Sequence, residues 1–200
     1  MRRLTKEIDE YVSNAGTSSF IERLLACCNL DNRSRKKEID LIKSELSFTS
    51  QDQFYPIVAE LFQQLGCDAY CGRTGDTSNR IDVELLWNGH KIPVEVKSPQ
   101  EIPYHDVKSV RQALENKVVC LSRYKNVTSA EHTSLSIAYD YPNNRSNVHE
   151  LIDDIYATFG IRVGLIDIND LMKSVIHQRE RNVHWNIISN LLGRYDEAVD

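Results

Sequence analysis

Apolar residues recur along this chain at two spacings, and each spacing predicts one kind of element. Positions three and four apart predict helices, and these lie at residues 20–25, 39–46, 54–65, 104–124, 148–159, 171–178 and 183–192. Short alternating or continuous apolar runs predict strands, and these lie at 67–71, 81–87, 91–97, 134–139 and 162–167. The pattern therefore predicts helices at both ends of the chain, with strands and helices between them.

The helix before the first strand has a predicted start, a predicted end and one polar side chain of interest. Ser50 and Gln53 have the spacing of a capping box, and Gly66 ends the helix. Glu60 lies on the flank of the apolar stripe, so it can reach the edge of a site while the helix packs on a sheet. The alternative is an ordinary exposed glutamate.

The strands at 81–87 and 91–97 are predicted to form a hairpin. The dipeptide Asn88-Gly89 lies between them, and Asn-Gly is the preferred two-residue loop of a type I′ turn. With such a loop, opposed positions follow by counting outward from the turn. The predicted pairs are Trp87 with His90, Val83 with Val94 and Asp82 with Glu95.

Side chains alternate between the two faces of a strand, which sorts the hairpin residues into an apolar set and a charged set. The apolar face carries Ile81, Val83, Leu85, Ile92, Val94 and Val96. The other face carries Asp82, Glu84, Glu95 and Lys97. We expect the first face to be core and the second to hold the chemistry.

The opposed carboxylates of Asp82 and Glu95 predict a cation between them. Directly opposed residues have Cβ atoms roughly 4.5–5.5 Å apart, and like charges there repel. Mg²⁺ is usually held by one or two carboxylates together with water and substrate phosphate. Lys97, on the same face, can orient or deprotonate the attacking water, or stabilise charge on a phosphate. The alternative is a solvated hairpin face on which Lys97 pairs with Glu95 or Asp82.

An acidic residue on one strand followed by Glu-x-Lys on the next resembles the PD-(D/E)xK nuclease superfamily. Asp82 and Glu95-x-Lys97 carry the resemblance, and Ile81 stands where these enzymes usually have proline. The resemblance implies an α/β fold with a restriction endonuclease-like core (αβββαβ), a mixed central sheet flanked by helices, over residues of about 50 to 170. Helices at both ends are extra, which divides the chain into an N-terminal helical segment, 1–47, and a nuclease core with C-terminal helices, 48–200.

The resemblance implies a Mg²⁺-dependent endonuclease, with Mn²⁺ as a substitute metal, that hydrolyses phosphodiester bonds of double-stranded DNA. Asp82 and Glu95 would hold the metal, Lys97 would assist the nucleophile, and Glu60 would be an auxiliary catalytic group of the kind such helices often carry. The small size is most like a restriction endonuclease or its cleavage subunit. The alternatives are a transposon end-cleaving subunit and a catalytically silent nuclease fold that serves DNA binding or assembly.

Four residues are candidate contacts to nucleic acid. Arg73 and Arg80 belong to the polar loop 72–80 that leads into the Asp82 strand, where they would add positive potential near a scissile phosphate. Lys108 and Gln112 lie in the first turns of the helix that follows Lys97, and similar nucleases often place such side chains near substrate. For the helix pair, the alternative is a solvated face.

The charge of the chain bears on its partners. A net charge of −5 is unusual for a nucleic-acid binder, because such proteins usually carry a basic surplus. The chain must therefore confine its basic residues to one face or gain DNA affinity from a partner. We expect a homodimer or a complex with a specificity subunit.

Cysteine content and hydropathy bear on the compartment. The five cysteines are odd in number and lack the paired spacing of a zinc site, which favours small free thiols in a reducing compartment. No apolar run approaches the roughly 18 residues of a membrane span. Arg2 and Arg3 are not followed by an apolar signal segment. We expect a cytoplasmic protein that does not enter a membrane.

Overall fold

The computed structural model describes residues 16–17, 19–72, 81–87, 90–123, 133–143 and 145–181. Helix α1 covers residues 19–26 and is followed by a 3-10 turn at Cys27–Asn29. The remaining helices are α2 Asn32–Leu46, α3 Gln51–Gln64, α4 Val107–Arg123, α5 Val148–Phe159 and α6 Ile168–Arg181. The strands are β1 Asp68–Cys71, β2 Val83–Trp87, β3 His90–Val96, β4 Thr133–Ala138 and β5 Arg162–Asp167.

The strands form one five-stranded mixed sheet in the order β1-β2-β3-β4-β5. β1, β2 and β3 pair antiparallel, whereas β3, β4 and β5 pair parallel. β3 therefore belongs to both halves of the sheet. The α/β class and the sheet flanked by helices are as predicted, and the order from α3 to β4 is helix, three strands, helix, strand.

The hairpin of β2 and β3 has the predicted register. The observed partners include Val83 with Val94, Glu84 with Pro93 and Trp87 with His90. Asp82 directly precedes β2, so the same register places it level with Glu95. The turn residues 88–89 lie outside the described part of the chain.

Helices cover both faces of the sheet. The apolar face of the hairpin is buried as predicted, and it packs with α1, α2, α3 and α6 in the larger of two hydrophobic clusters. The smaller cluster joins α4 and α5 to β5 on the opposite face. The N-terminal helices contribute to the larger cluster through Ile21, Leu24, Ile39, Ile42 and Leu46.

The predicted start and end of α3 are both present. The backbone N–H of Ser50 donates to Gln53 Oε1 at 3.4 Å, which is one half of a capping box. The helix ends at Gln64, and Gly66 follows with a φ of 86°, a left-handed value that glycine adopts without strain. α3 therefore begins shortly after the end of α2 and ends shortly before β1.

The carboxyl ends of the parallel strands meet at one edge of the sheet. Lys97 follows β3 at this edge, and its backbone N–H donates to Ile137 O of β4 at 2.8 Å. The chain then turns at 98–102 before α4 begins at Val107. Lys97 is therefore fixed to the neighbouring strand at the point where the candidate site lies.

The five cysteines are free thiols, of which Cys27, Cys67 and Cys120 are buried and Cys28 and Cys71 are half-buried. This agrees with the prediction of small free thiols. Burial raises the pKa of Cys67 to about 12 and that of Cys71 to about 11, so both stay protonated at neutral pH. Within the described part of the chain, every helix is too short or too polar to span a membrane.

Candidate active site

Asp82 lies between β1 and β3 and is held from both sides. Its backbone carbonyl accepts a hydrogen bond from Gly72 N at 3.0 Å, and its Oδ2 accepts one from Val96 N at 2.9 Å. The carboxylate thus turns across the hairpin towards β3. In this position it is half-buried and level with Glu95.

Glu95 is a buried carboxylate whose two oxygens are both hydrogen-bonded. Its side chain is 4% exposed. Oε1 accepts from Lys97 Nζ at 2.8 Å, and Oε2 accepts from Asn116 Nδ2 at 3.0 Å. Each oxygen of an ionised carboxylate has two lone pairs, so each keeps one further acceptor position.

Lys97 joins the hairpin to α4. Its Nζ also donates to Gln112 Oε1 at 2.9 Å, and Lys97 is 6% exposed. The pairing of Lys97 with Glu95 was the alternative offered by the sequence, but that alternative placed the pair on a solvated face. Here the ion pair is buried. Removing either side chain would leave the other as an unpaired buried charge, which destabilises the folded protein.

Helix α4 supplies the amides that hold this pair. Gln112 and Asn116 are four residues apart and so lie on one face of the helix. Ser134 allows α4 to lie close to the sheet, because its hydroxyl is hydrogen-bonded to both Pro93 O (3.1 Å) and Ala113 O (2.8 Å). The predicted chemistry face of the hairpin is therefore covered by α4 at Glu95 and Lys97.

The site carries more negative than positive charge, and its charged side chains are largely shielded from water. Burial, followed by the charge of Glu95, raises the pKa of Asp82 to about 7, against the lowering effects of Val96 N–H and Lys97. Burial also raises the pKa of Glu95. For Lys97, burial favours the neutral amine, but Glu95 and the other nearby carboxylates raise its pKa overall. Lys97 therefore stays an ammonium, and a second carboxylate, Asp82, lies beside the carboxylate with which it pairs.

Two side chains near the cluster were not predicted from the sequence as site residues. These are Glu101 and Tyr55. Glu101 Oε2 accepts from Ser98 N (3.1 Å), from Ser98 Oγ (2.9 Å) and from Tyr55 Oη (3.2 Å). Burial, then the charges of Asp82 and Glu101, raise the pKa of Tyr55, so its phenol stays protonated. The available signal for Glu101 was Ser98-Pro99-x-Glu101, a capping-box pattern directly after Glu-x-Lys.

Asn116 was also missed, although Gln112 was a candidate. The signal was the spacing itself, because a polar residue four positions after Gln112 lies on the same helix face. Only the packing of α4 on β3 turns that face towards Glu95. The amide then donates to a buried carboxylate.

Glu60 is not brought to this cluster by its contacts in the described part of the chain. Its Oε1 accepts from Gln64 Nε2 at 2.9 Å, and Gln64 Oε1 accepts from Arg179 of α6 at 3.0 Å. The carboxylate is therefore engaged beside α6, whereas Tyr55 is the α3 residue that reaches the cluster. The auxiliary role of Glu60 stays a prediction without support from these contacts.

The remaining predicted site residues lie in the site, at the surface, or outside the described residues. Gln112 contacts Lys97, as above, whereas Lys108 is exposed in the first turn of α4. Glu84 forms an ion pair with Lys91 at 2.7 Å on the same hairpin. Arg73 and Arg80 lie outside the described residues.

The oxygen atoms of Asp82 and Glu95 are the possible ligands for a divalent cation at this site. Among the described residues, no group of three or more His, Cys, Asp or Glu side chains is arranged to hold a metal ion. Asp82 and Glu95 offer oxygen only, which suits Mg²⁺ or Mn²⁺ rather than Zn²⁺. Asp82 Oδ2 accepts from Val96 N, and among the described residues no hydrogen bond to Oδ1 is seen. The residues fit a cation held by two carboxylates and completed by water.

The chain was compared with protein-family models, with curated proteins and with solved structures, and nothing matched. The resemblance to PD-(D/E)xK nucleases therefore rests on the spacing of Asp82, Glu95 and Lys97 and on the order of elements around them. Both observations come from this chain and not from a related protein.

We predict that Asp82→Asn stabilises the protein in EDTA above neutral pH. Asp82 has a pKa of about 7 in the folded protein against 3.8 for the ordinary group. As pH rises through this window the unfolded state loses the proton first, so stability falls. Asparagine still accepts from Val96 N but removes the charge. Cross-strand charge effects are about 0.2–1 kcal/mol, so the melting temperature at pH 8 should rise by at most a few degrees.

Thermal melts of both proteins in EDTA from pH 4 to pH 8 test this. The difference should shrink towards pH 4, and Mg²⁺ should stabilise the variant less than the parent. A lower melting temperature for Asp82→Asn at pH 8 would instead make Asp82 an ion-pair partner on a structural face.

Proposed function

We propose that this chain is a divalent-metal-dependent endonuclease that hydrolyses phosphodiester bonds of double-stranded DNA. One observation carries the proposal: the buried Glu95–Lys97 pair (2.8 Å) lies level with a second carboxylate, Asp82, at one edge of the sheet. Structural ion pairs do not need a third, like-charged group beside them. A site that binds a cation and a phosphate does.

Asp82 and Glu95 are the residues that would hold Mg²⁺, or Mn²⁺ in its place. When bound, such an ion polarises a phosphoryl oxygen and makes water a stronger nucleophile at neutral pH. The two carboxylates fix its position because the backbone N–H of Val96 holds one and the Asn116 amide holds the other. Their mutual repulsion is relieved at the same time.

Lys97 acts as a charged hydrogen-bond donor in this proposal. Because its pKa is raised by Glu95, it keeps its proton and is a poor base at neutral pH. An ammonium can orient the attacking water or stabilise the negative charge that develops on the phosphate. Gln112 and Glu95 hold its Nζ in place, so little reorganisation is needed during the reaction.

The chain most resembles a small restriction endonuclease or the cleavage subunit of one, and a transposon end-cleaving subunit is a close variant. Its net charge of −5 disfavours binding to DNA, which is itself negatively charged. We infer that a second copy or a specificity subunit supplies part of the DNA affinity. Two copies would also supply the two active sites that a double-strand cut requires.

A second candidate function is a catalytically silent nuclease fold that serves DNA binding or assembly. It is favoured because Glu95 and Lys97 already form hydrogen bonds with other side chains of the protein. The lack of a three-residue metal group among the described residues also favours it. Cleavage distinguishes the two candidates.

Incubation with supercoiled plasmid tests the proposal directly. We expect nicked or linear DNA with Mg²⁺ or Mn²⁺, none with EDTA, and none from Asp82→Asn purified in the same way. Loss of supercoils by Asp82→Asn at the parental rate would point to a contaminating nuclease. Intact plasmid with the parent protein, under conditions in which it binds DNA, would favour the silent module.

We predict that Lys97→Ala reduces the cleavage rate by roughly 10²-fold or more, as expected for a group that acts in the chemical step. Binding of Mn²⁺ should survive, because Asp82 and Glu95 remain. Single-turnover cleavage measures the rate, at a temperature well below the melting point of the variant. Lys91→Ala is the matched control, since Lys91 pairs with Glu84 on the same hairpin. Near-normal cleavage by Lys97→Ala removes Lys97 from the mechanism.

The proposed dimer gives a separate prediction, which the same plasmid assay can test. If the chain dimerises on DNA, the rate of linear product should rise more steeply than linearly with protein concentration. The reason is that both protomers must be bound at one place. Strict proportionality, with nicked circles as the only product, would instead favour a cleavage subunit that needs a different partner.

A further inference from the structure

Helix α2 exposes a group of basic side chains that the candidate site does not use. Arg33, Lys36 and Lys37 are exposed, and their spacing of three and four residues places them on one side of the helix. No ion pair of these side chains is seen among the described residues. Arg35 differs, because it donates to backbone carbonyls such as Leu30 O at 3.0 Å. We call Arg33, Lys36 and Lys37 the α2 basic surface.

The carboxylates of α2 leave this surface positively charged. Glu38 and Glu45 both pair with Arg23 of α1, at 2.7 and 2.6 Å. Asp31 caps the helix, and its side chain accepts from two backbone N–H groups of the first turn. Asp40 is the remaining carboxylate on the exposed side of α2. The three basic side chains therefore exceed the carboxylates that lie near them.

The fold does not account for these charges. Arg33 lies in the first turn of α2, where the positive end of the helix macrodipole disfavours a cation. The macrodipole favours basic residues in the last turn instead, which is where Lys43 lies. Lys36 and Lys37 are exposed, so they add little to packing. A negatively charged partner would explain all three charges.

The carboxyl end of α2 lies at the sheet edge that holds the candidate site. Lys43 Nζ pairs with Asp140, which follows β4, at 2.6 Å. Phe48 O, just after α2, accepts from Gln100 Nε2 at 2.7 Å, and Gln100 belongs to the turn that follows Lys97. The basic surface lies about 9 to 15 Å from Lys43 along the helix, at 1.5 Å per residue. One turn of a DNA duplex, about 34 Å long, exceeds that distance.

We propose that the α2 basic surface binds the phosphate backbone of double-stranded DNA beside the bond that is cut. This inference rests on the proposed function, which identifies the polyanion as DNA. Lysine and arginine side chains replace the counterions of the phosphates, and such contacts position a duplex without reading its sequence. The surface thus supplies part of the DNA affinity of a chain whose net charge is −5.

Binding of a labelled duplex of about three helical turns, in EDTA and over a range of salt concentrations, tests the surface without cleavage. We expect the double variant Lys36→Gln with Lys37→Gln to bind roughly tenfold more weakly at low salt. The slope of log K against log salt should fall by about 2, because two phosphate contacts are lost. Arg33→Gln should act in the same direction. Arg123→Gln is the matched control, since Arg123 is an exposed arginine at the end of α4.

Asp40→Asn provides a test of the opposite sign. It removes a negative charge from the exposed side of α2, so duplex binding at low salt should become about twofold tighter. Melting temperatures of all these variants should stay within a few degrees of the parent, as expected for surface substitutions. A loss of duplex binding without a loss of stability therefore reports on the surface itself.

Parental duplex binding by the double lysine variant would overturn the inference, as would a parent protein that binds no duplex at low salt. Unchanged duplex binding with loss of binding to phosphatidylserine vesicles would also overturn it and assign the surface to a membrane. Cleavage is scored separately. A parent that binds duplex through α2 but leaves plasmid intact with Mg²⁺ contradicts the nuclease and keeps the surface. Parental cleavage and parental binding by the double variant remove the surface and keep the nuclease.

Discussion

The buried ion pair of Glu95 and Lys97 is the constraint on which this region of the structure depends. Removing two charges from water is costly, and their attraction offsets that cost only when the remaining hydrogen-bonding positions are also filled. Here Asn116 fills one on the carboxylate and Gln112 fills one on the ammonium. Helix α4 must therefore lie across the end of β3, at a rotation that turns both amides to the sheet.

That requirement explains why the site lies where it does. β3 is antiparallel to β2 and parallel to β4, so residues at its carboxyl end meet the start of β2 on one side and the end of β4 on the other. Asp82 comes from the first neighbour, and the second fixes Lys97 through Ile137. A functional group can therefore be held rigidly at this edge, next to the turn at 98–102.

The charges of the cluster are not balanced within the protein. Asp82 and Glu101 add negative charge to a pair that is already balanced, and the partial burial of Asp82 limits the screening of its charge by water. The polypeptide tolerates this because backbone N–H groups and hydroxyls hold both carboxylates. Under the function proposed above, a cation would neutralise the excess and, with Lys97, would attract phosphate.

The sequence by itself determined the features that depend on neighbours in the chain. Counting outward from Asn88-Gly89 predicted the pairing of Val83 with Val94, and a capping-box pattern predicted the start of α3, because both follow from local backbone geometry. Only the tertiary structure decided that α4 covers Glu95, that Tyr55 reaches Glu101, and that Glu60 is engaged beside α6. The rotation of a helix on a sheet is set by packing between residues distant in sequence, and no local pattern encodes it.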